Sequence, residues 1–202
     1  MLKELFEGHF YGTFPKVTNR VLNLSERIGI GTFSLLDEKA CRDCHYPCNN
    51  NSADREQMKV VCQAPVYVIS MDDVFSYVKD DMGEICDYML EGKDAVAIVE
   101  MTCSTSSYIS EKRRKARRQL YNTLTNLMTS PVVKEHIERL DGRYVVFSWK
   151  ETFDRNAVAD YVEKNMTDMT MMADEAYSPD NESHFDFGFK LKEIRYPFAL
   201  AM

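Results

Sequence analysis

Two carboxylates in the segment CDYMLEGKDAVAIVEMT, residues 86 to 102, are spaced to do chemistry together. The segment reads as a strand, a tight turn at EGKD and a second strand, AVAIVEMTCS. With Gly92 and Lys93 as the central turn residues, Asp87 faces Ile98, and Glu100 lies two positions further along. Directly opposed residues share a face and side chains alternate, so the two acids are diagonal neighbours on one face, roughly 7–8 Å apart at the backbone. Carboxylates that close can share one divalent cation through oxygen ligands. A Mg²⁺ or Mn²⁺ ion there can activate water and stabilise charge developing on a phosphate. A one-residue slip would put the acids on opposite faces, so the inference depends on the turn. The plainer alternative makes both acids polar members of a partly exposed face. Against it, Glu100 interrupts an apolar run, where a carboxylate is costly unless it is paired or metal-bound.

A second chemistry-bearing stretch is CRDCHYPC, residues 41 to 48. Cys41, Cys44 and Cys48, with Cys62 after a 13-residue gap, supply four thiolates that suit a tetrahedral structural Zn²⁺. His45 is a reserve ligand. The polar loop NNNSADREQ has little apolar surface to fold on, and a metal would order it. An iron–sulfur cluster also takes four cysteines, and free cysteines in a loop are the third reading. Four thiolates closing on one metal leave no open position for substrate, so residues 37–62 read as a metal-stapled insertion. Cys86 and Cys103 sit among apolar residues and read as small buried hydrophobes. His9, His136 and His184 are isolated and read as structural or exposed.

The third feature is KRRKARR, where six of the seven residues 112 to 118 are basic. Basic residues at a helix start oppose the macrodipole, which favours anions there. A helical segment of this length points charge in every direction, so some of it meets neighbouring structure. A phosphate backbone relieves both problems. Lys112, Arg113, Arg114, Lys115, Arg117 and Arg118 are therefore candidate nucleic-acid contacts, with an acidic partner protein as the rival occupant.

The elements that must position these groups follow from periodicity. Val17, Val21, Leu24 and Ile28 have helical spacing over residues 16–28, and IGIGTFSLL then reads as a strand. APVYVIS is a strand and MDDVFSYVKDDM a short helix with Asp72 and Asp73 in its first turn. EKRRKARRQLYNTLTNLM is a long helix striped by Ala116, Leu120, Leu124 and Leu127. SPVVKEHIERL is a helix with Ser130 as N-cap and Pro131 at its first position. DGRYVVFSW is a strand, DRNAVADYVEKN a helix, and residues 172–183 an acidic loop. HFDFGFKL alternates Phe185, Phe187, Phe189 and Leu191 as a half-buried strand. The Met-dense NMTDMTMM, residues 165–172, reads as a core edge or an interface. The order predicts one α/β domain over residues 1–202, with a mixed central sheet flanked by helices.

Composition bounds the rest. The chain has 202 residues, 45% hydrophobic and 28% charged, with a formal net charge of -7. That balance disfavours wholesale electrostatic nucleic-acid binding but permits a local basic patch. No apolar run reaches the roughly 18 residues a membrane span needs. The start, MLKELFEGHF, does not read as a secretory signal, and the expected location is the cytoplasm, where paired disulfides are disfavoured. No glycine-rich phosphate loop or Gly-x-Ser-x-Gly elbow occurs.

CDYML, then AVAIVEMTCS, then KARRQL resembles the PD-(D/E)XK nuclease-like superfamily, the restriction-endonuclease-like fold, over about residues 66–150. Members carry an Asp on one core strand, a Glu-x-Lys on the next, and a helix that often reads Ala-x-x-Gln-Leu. The resemblance makes Asp87 the first acid, Glu100 the second and Gln119 the helix glutamine that often points into the site. It makes Glu26, on an N-terminal helix, a candidate extra acid. It implies metal-dependent phosphodiester hydrolysis, on DNA more readily than RNA, in roles such as restriction, repair or phage defence. One departure stands out: Thr102 occupies the position of the expected Lys. A hydroxyl supplies no positive charge, so either Lys112 or Lys115 substitutes from the following helix, or the fold serves as an inactive module that binds nucleic acid or a partner subunit.

Overall fold

The apolar run of residues 95–99 is continuous because its strand is covered on both faces. In the computed structural model, residues 2–14, 24–36, 56–78, 83–104, 108–151 and 182–202 are described. Strand β4 (Ala95–Ser104) pairs antiparallel with β3 (Tyr88–Glu91) and parallel with β5 (Gly142–Glu151). Val96 and Ile98 face a layer of helices, while Ala97, Val99 and Met101 face a second apolar cluster.

Around this pair lies a sheet of eight strands among the described residues. Its order is β1 (Glu26–Leu36), β2 (Glu56–Ser70), β3, β4, β5, β7 (Lys190–Arg195), β6 (Glu182–His184), with β8 (Ala199–Ala201) pairing β2. β4, β5 and β7 run parallel, whereas the β1–β2–β3 ladders and β6 are antiparallel, so the sheet is mixed as expected. One face carries α1 (Leu2–Leu5), α2 (Met71–Ser76), α3 (Ile109–Met128) and α4 (Pro131–Glu138). The stripe of Ala116, Leu120, Leu124 and Leu127 on α3 is buried there. On the opposite face, among the described residues, Leu35, Met58, Val60 and Leu200 pack with Val146 and Ile194.

Local signals explain the ends of α2 and α4. Ser70 caps α2 by accepting the Asp73 N–H at a long 3.4 Å, with Asp72 and Asp73 in the first turn. Ser130 precedes α4 with extended backbone and Pro131 opens the helix, but the serine hydroxyl makes no capping bond; its carbonyl takes the Lys134 N–H at 2.9 Å.

Several expectations are corrected. Residues 26–28 belong to β1: Glu26 pairs Ile69 and Ile28 pairs Tyr67. Gly29 and Gly31 alternate with β-branched residues there, which weakens helix and leaves the ladder to win. β2 starts at Glu56, so the last part of the segment 37–62 is sheet. The β3–β4 turn closes one residue later than expected. Gly92 N–H donates to the Ala95 carbonyl at 2.8 Å, which makes Lys93 and Asp94 the central residues. HFDFGFKL is a hairpin, not one strand. β6 ends at His184, a turn spans Asp186–Gly188, and β7 starts at Lys190. Asp and Gly at its ends are turn formers, and Phe187 between them sits at φ 58°, 44% exposed, while Phe185 and Phe189 are buried. The helix expected over DRNAVADYVEKN, the Met-dense 165–172 stretch and most of the 172–183 loop lie outside the described residues; Glu182 and Ser183 are in β6. Among the described residues, no helix is long and apolar enough to cross a membrane.

One histidine is structural. Glu91, at the end of β3, is 8% exposed, and His136 Nε2 on α4 lies 2.9 Å from its Oε2. His136→Ala strips a buried carboxylate of that partner and should cost about 1–3 kcal/mol. The check is a lower urea midpoint at unchanged slope.

Candidate functional site

The end of β4 and the first turns of α3 bound a cavity of about 390 Å³. Asp87, Glu100, Thr102 and Gln119 all line it, together with Lys112 and Lys115. The sequence-derived residues of the hairpin and of the next helix thus meet in one place.

The register brings the acids closer than the sequence suggested. Tyr88 pairs Val99 and Met89 pairs Ile98, so Asp87 falls beside Glu100, one step past the last ladder pair, rather than opposite Ile98. Asp87 is held on three sides. Its N–H donates to the Val99 carbonyl at 3.0 Å, its carbonyl accepts the Met71 N–H at 2.9 Å, and its Oδ2 accepts the Met101 N–H at 2.7 Å. Glu100 is 7% exposed, with Oε2 sealed from solvent. In the parallel ladder it sits next to Phe147, which also lines the cavity. Thr102 is half-buried, and its hydroxyl faces the Cys103 carbonyl at 3.4 Å.

α3 grips the segment that leads into Asp87. Gln119 Nε2 donates to the Ile85 carbonyl at 3.0 Å, and the Cys86 N–H donates to Thr123 Oγ1 at 2.9 Å. Asn122 Nδ2 donates to the Glu84 carbonyl at 3.3 Å. Gln119 therefore spends its amide N–H on the backbone, a positioning role beside the one implied by the resemblance. Burial pushes the Cys86 thiol well above its usual range, and the nearby Glu100 and Asp87 carboxylates add to the rise.

The basic residues divide by partner. Lys115 and Arg118 both meet Glu84, at 3.3 and 2.8 Å. Arg113 pairs with Glu193 at 2.8 Å and lies 5.8 Å over the Trp149 ring. Arg117 lies over Phe185 at 6.0 Å. Lys112 and Arg114 are outside these pairings and exposed, and Lys112 lines the cavity.

Among the described residues, no three His, Cys, Asp or Glu side chains converge as a metal cage. Asp87 and Glu100 nevertheless fit a Mg²⁺-type donor set. That ion is commonly held by one or two carboxylates and keeps waters or substrate phosphate oxygens in its other positions. Cys41, Cys44, His45 and Cys48 lie outside the described residues. Cys62 is on β2, buried in the second apolar cluster, with its Sγ 3.5 Å from the Gly31 carbonyl. Cys86 is buried as expected; Cys103 is only half-buried. Glu26 sits on β1, away from the cavity lining, and its Oε1 accepts the Lys3 N–H at 2.9 Å. His9 and His184 are exposed. Sequence reasoning missed Asp72 and Glu84 as cavity-lining acids. Asp72 had a signal, in that its helix follows the strand that pairs with β3; Glu84 had none.

No protein-family model, curated protein or solved structure matches this chain.

The burial of Cys86 gives a direct check. Iodoacetamide at mildly alkaline pH should leave Cys86 unmodified in the native protein and label it in denaturant, read by peptide mass. Labelling of the native chain at Cys86 would contradict the geometry.

Proposed function

We propose that the cavity is a site of Mg²⁺-dependent phosphodiester hydrolysis on nucleic acid, DNA more readily than RNA, built on a restriction-endonuclease-like core. The observation that carries this reading is the convergence of Asp87, Glu100, Lys112 and Lys115 on one cavity. Two of the four acids that line it, Asp87 and Glu100, share it with two lysines, the combination that phosphoryl chemistry needs: ligands for a cation, and positive charge for the phosphate. A Mg²⁺ or Mn²⁺ ion between the acids would supply activated water and charge stabilisation. Asp87 is preset by its three hydrogen bonds. Glu100 is a nearly buried carboxylate, and sharing a cation offsets its desolvation. Lys112 takes the charge role that Thr102 leaves open. The exposed cations of α3 hold the backbone on either side.

Glu100→Ala and Asp87→Ala should each lower Mg²⁺-dependent cleavage of single- or double-stranded DNA or RNA by at least about 10²-fold. Cleavage that survives both would sink the assignment. Lys112→Ala should lower the rate with the Mg²⁺ dependence intact.

A second reading is an inactive module that binds nucleic acid or a partner subunit. Thr102 favours it, and so does the Met101 N–H on Asp87 Oδ2, a bond that suits a carboxylate closing the end of a ladder. Under that reading the native protein cleaves nothing with Mg²⁺ or Mn²⁺, yet still binds. Charge reversal at Arg114 and Arg117 should then flatten the salt dependence of binding by about one unit of slope per lost phosphate contact; an unchanged slope places the contact elsewhere.

A further inference from the structure

Glu84 stands at the edge of the same cavity, and two cations converge on its carboxylate: Arg118 at 2.8 Å and Lys115 at 3.3 Å. These contacts are not needed to hold the segment in place. Its backbone is tied to α3 independently, through Asn122 to the Glu84 carbonyl, Gln119 to Ile85 and Thr123 to Cys86. All three charged side chains are substantially exposed, and exposed ion pairs add little stability. Two cations aimed at a single oxyanion are also the arrangement that a phosphate oxygen pair accepts. Lys115 lines the cavity with Asp87 and Glu100, so a phosphate seated between Lys115 and Arg118 would adjoin the acids.

We propose that Lys115 and Arg118 form a phosphate-binding subsite at the cavity mouth, and that Glu84 occupies it in the free protein as an intramolecular competitor. The Arg118 hydrogen bond, and then that of Lys115, hold the Glu84 carboxyl below its usual range, the mark of a carboxylate seated between two cations. A ligand must displace this carboxylate to enter. A weak single anion does so poorly, whereas a ligand with adjacent phosphates does so through several contacts at once. Glu84 is thus a specificity-determining residue that sets the threshold for polyanions. The proposal draws on the nucleic-acid reading only for the natural source of the phosphate; occupation of the subsite requires neither the metal nor cleavage.

The test is binding of inorganic pyrophosphate to the full chain at low salt, in EDTA, by calorimetry. Glu84→Gln should bind pyrophosphate about three- to tenfold more tightly than the parent, and adding Arg118→Gln should remove the gain. Glu84→Asp, whose shorter carboxylate spans the two cations less well, should shift affinity the same way and serves if Glu84→Gln does not fold. Equal or weaker binding by folded Glu84→Gln overturns the proposal, as does a larger gain for an oligoglutamate peptide than for pyrophosphate. Loss of the cleavage reading leaves this result untouched, because no step of the assay uses Glu100 or a metal.

Discussion

Two hydrogen bonds from one helix govern the segment that enters the cavity: Gln119 to the Ile85 carbonyl, and the Cys86 N–H to Thr123. Residues 83–86 precede β3 and pair with no strand of their own. Cys86 is buried in the apolar layer, where an unmade bond costs far more than a made one gains. α3 meets that need with the face beside its buried stripe. The same helix carries the cations that line and flank the cavity. Packing, backbone satisfaction and charge delivery therefore fall on one element, which sets the approach to Asp87 before β4 and α2 hold that residue.

Charge in this protein is organised locally against its overall sign. The chain is acidic, with a net charge of -7, yet the start of α3 is strongly basic. At physiological ionic strength a charge is felt over about 8 Å. An anion near α3 senses Lys112, Arg114 and their neighbours rather than the distant acids. Long-range attraction is correspondingly poor, so any polyanion would be captured by contact more than by steering. Several of the basic groups are already committed, to Glu84, to Glu193 with Trp149, or to Phe185. The helix is less a free electropositive surface than its composition implies.

The parts of the structure written in strong local patterns are legible in the sequence. The long apolar stripe of α3, the buried run of β4 and the Pro131 start of α4 each carry their own signal, and the convergence of the two acids with α3 follows from them. What escapes depends on non-local competition. Val17, Val21, Leu24 and Ile28 match a helical period, but Ile28 lies in β1 and pairs with Tyr67 of β2, a partner nearly forty residues away. The alternation of HFDFGFKL matches a strand, but Asp186 and Gly188 turn the chain. The claim of the Ile85 carbonyl on Gln119 cannot be seen in a one-dimensional string. Glu84 lacks a motif altogether; its importance comes from which cations α3 happens to place opposite it.

The β3–β4 hairpin has two pairings that keep its apolar residues on the same faces. The expected turn and the observed one differ by an even step, so both leave every side chain of the hairpin on the same face. The in–out alternation of the hairpin's side chains cannot tell these two pairings apart. What separates them is polar and sparse: the Gly92–Ala95 closure, the Asp87 bond to Met101, and the grip of α3 on residues 84–86. Foldedness and correct alignment of the acids are therefore distinct properties of this chain. A variant weakened in those few contacts can keep every apolar side chain on its own face and still present Asp87 to Ile98 instead of Glu100.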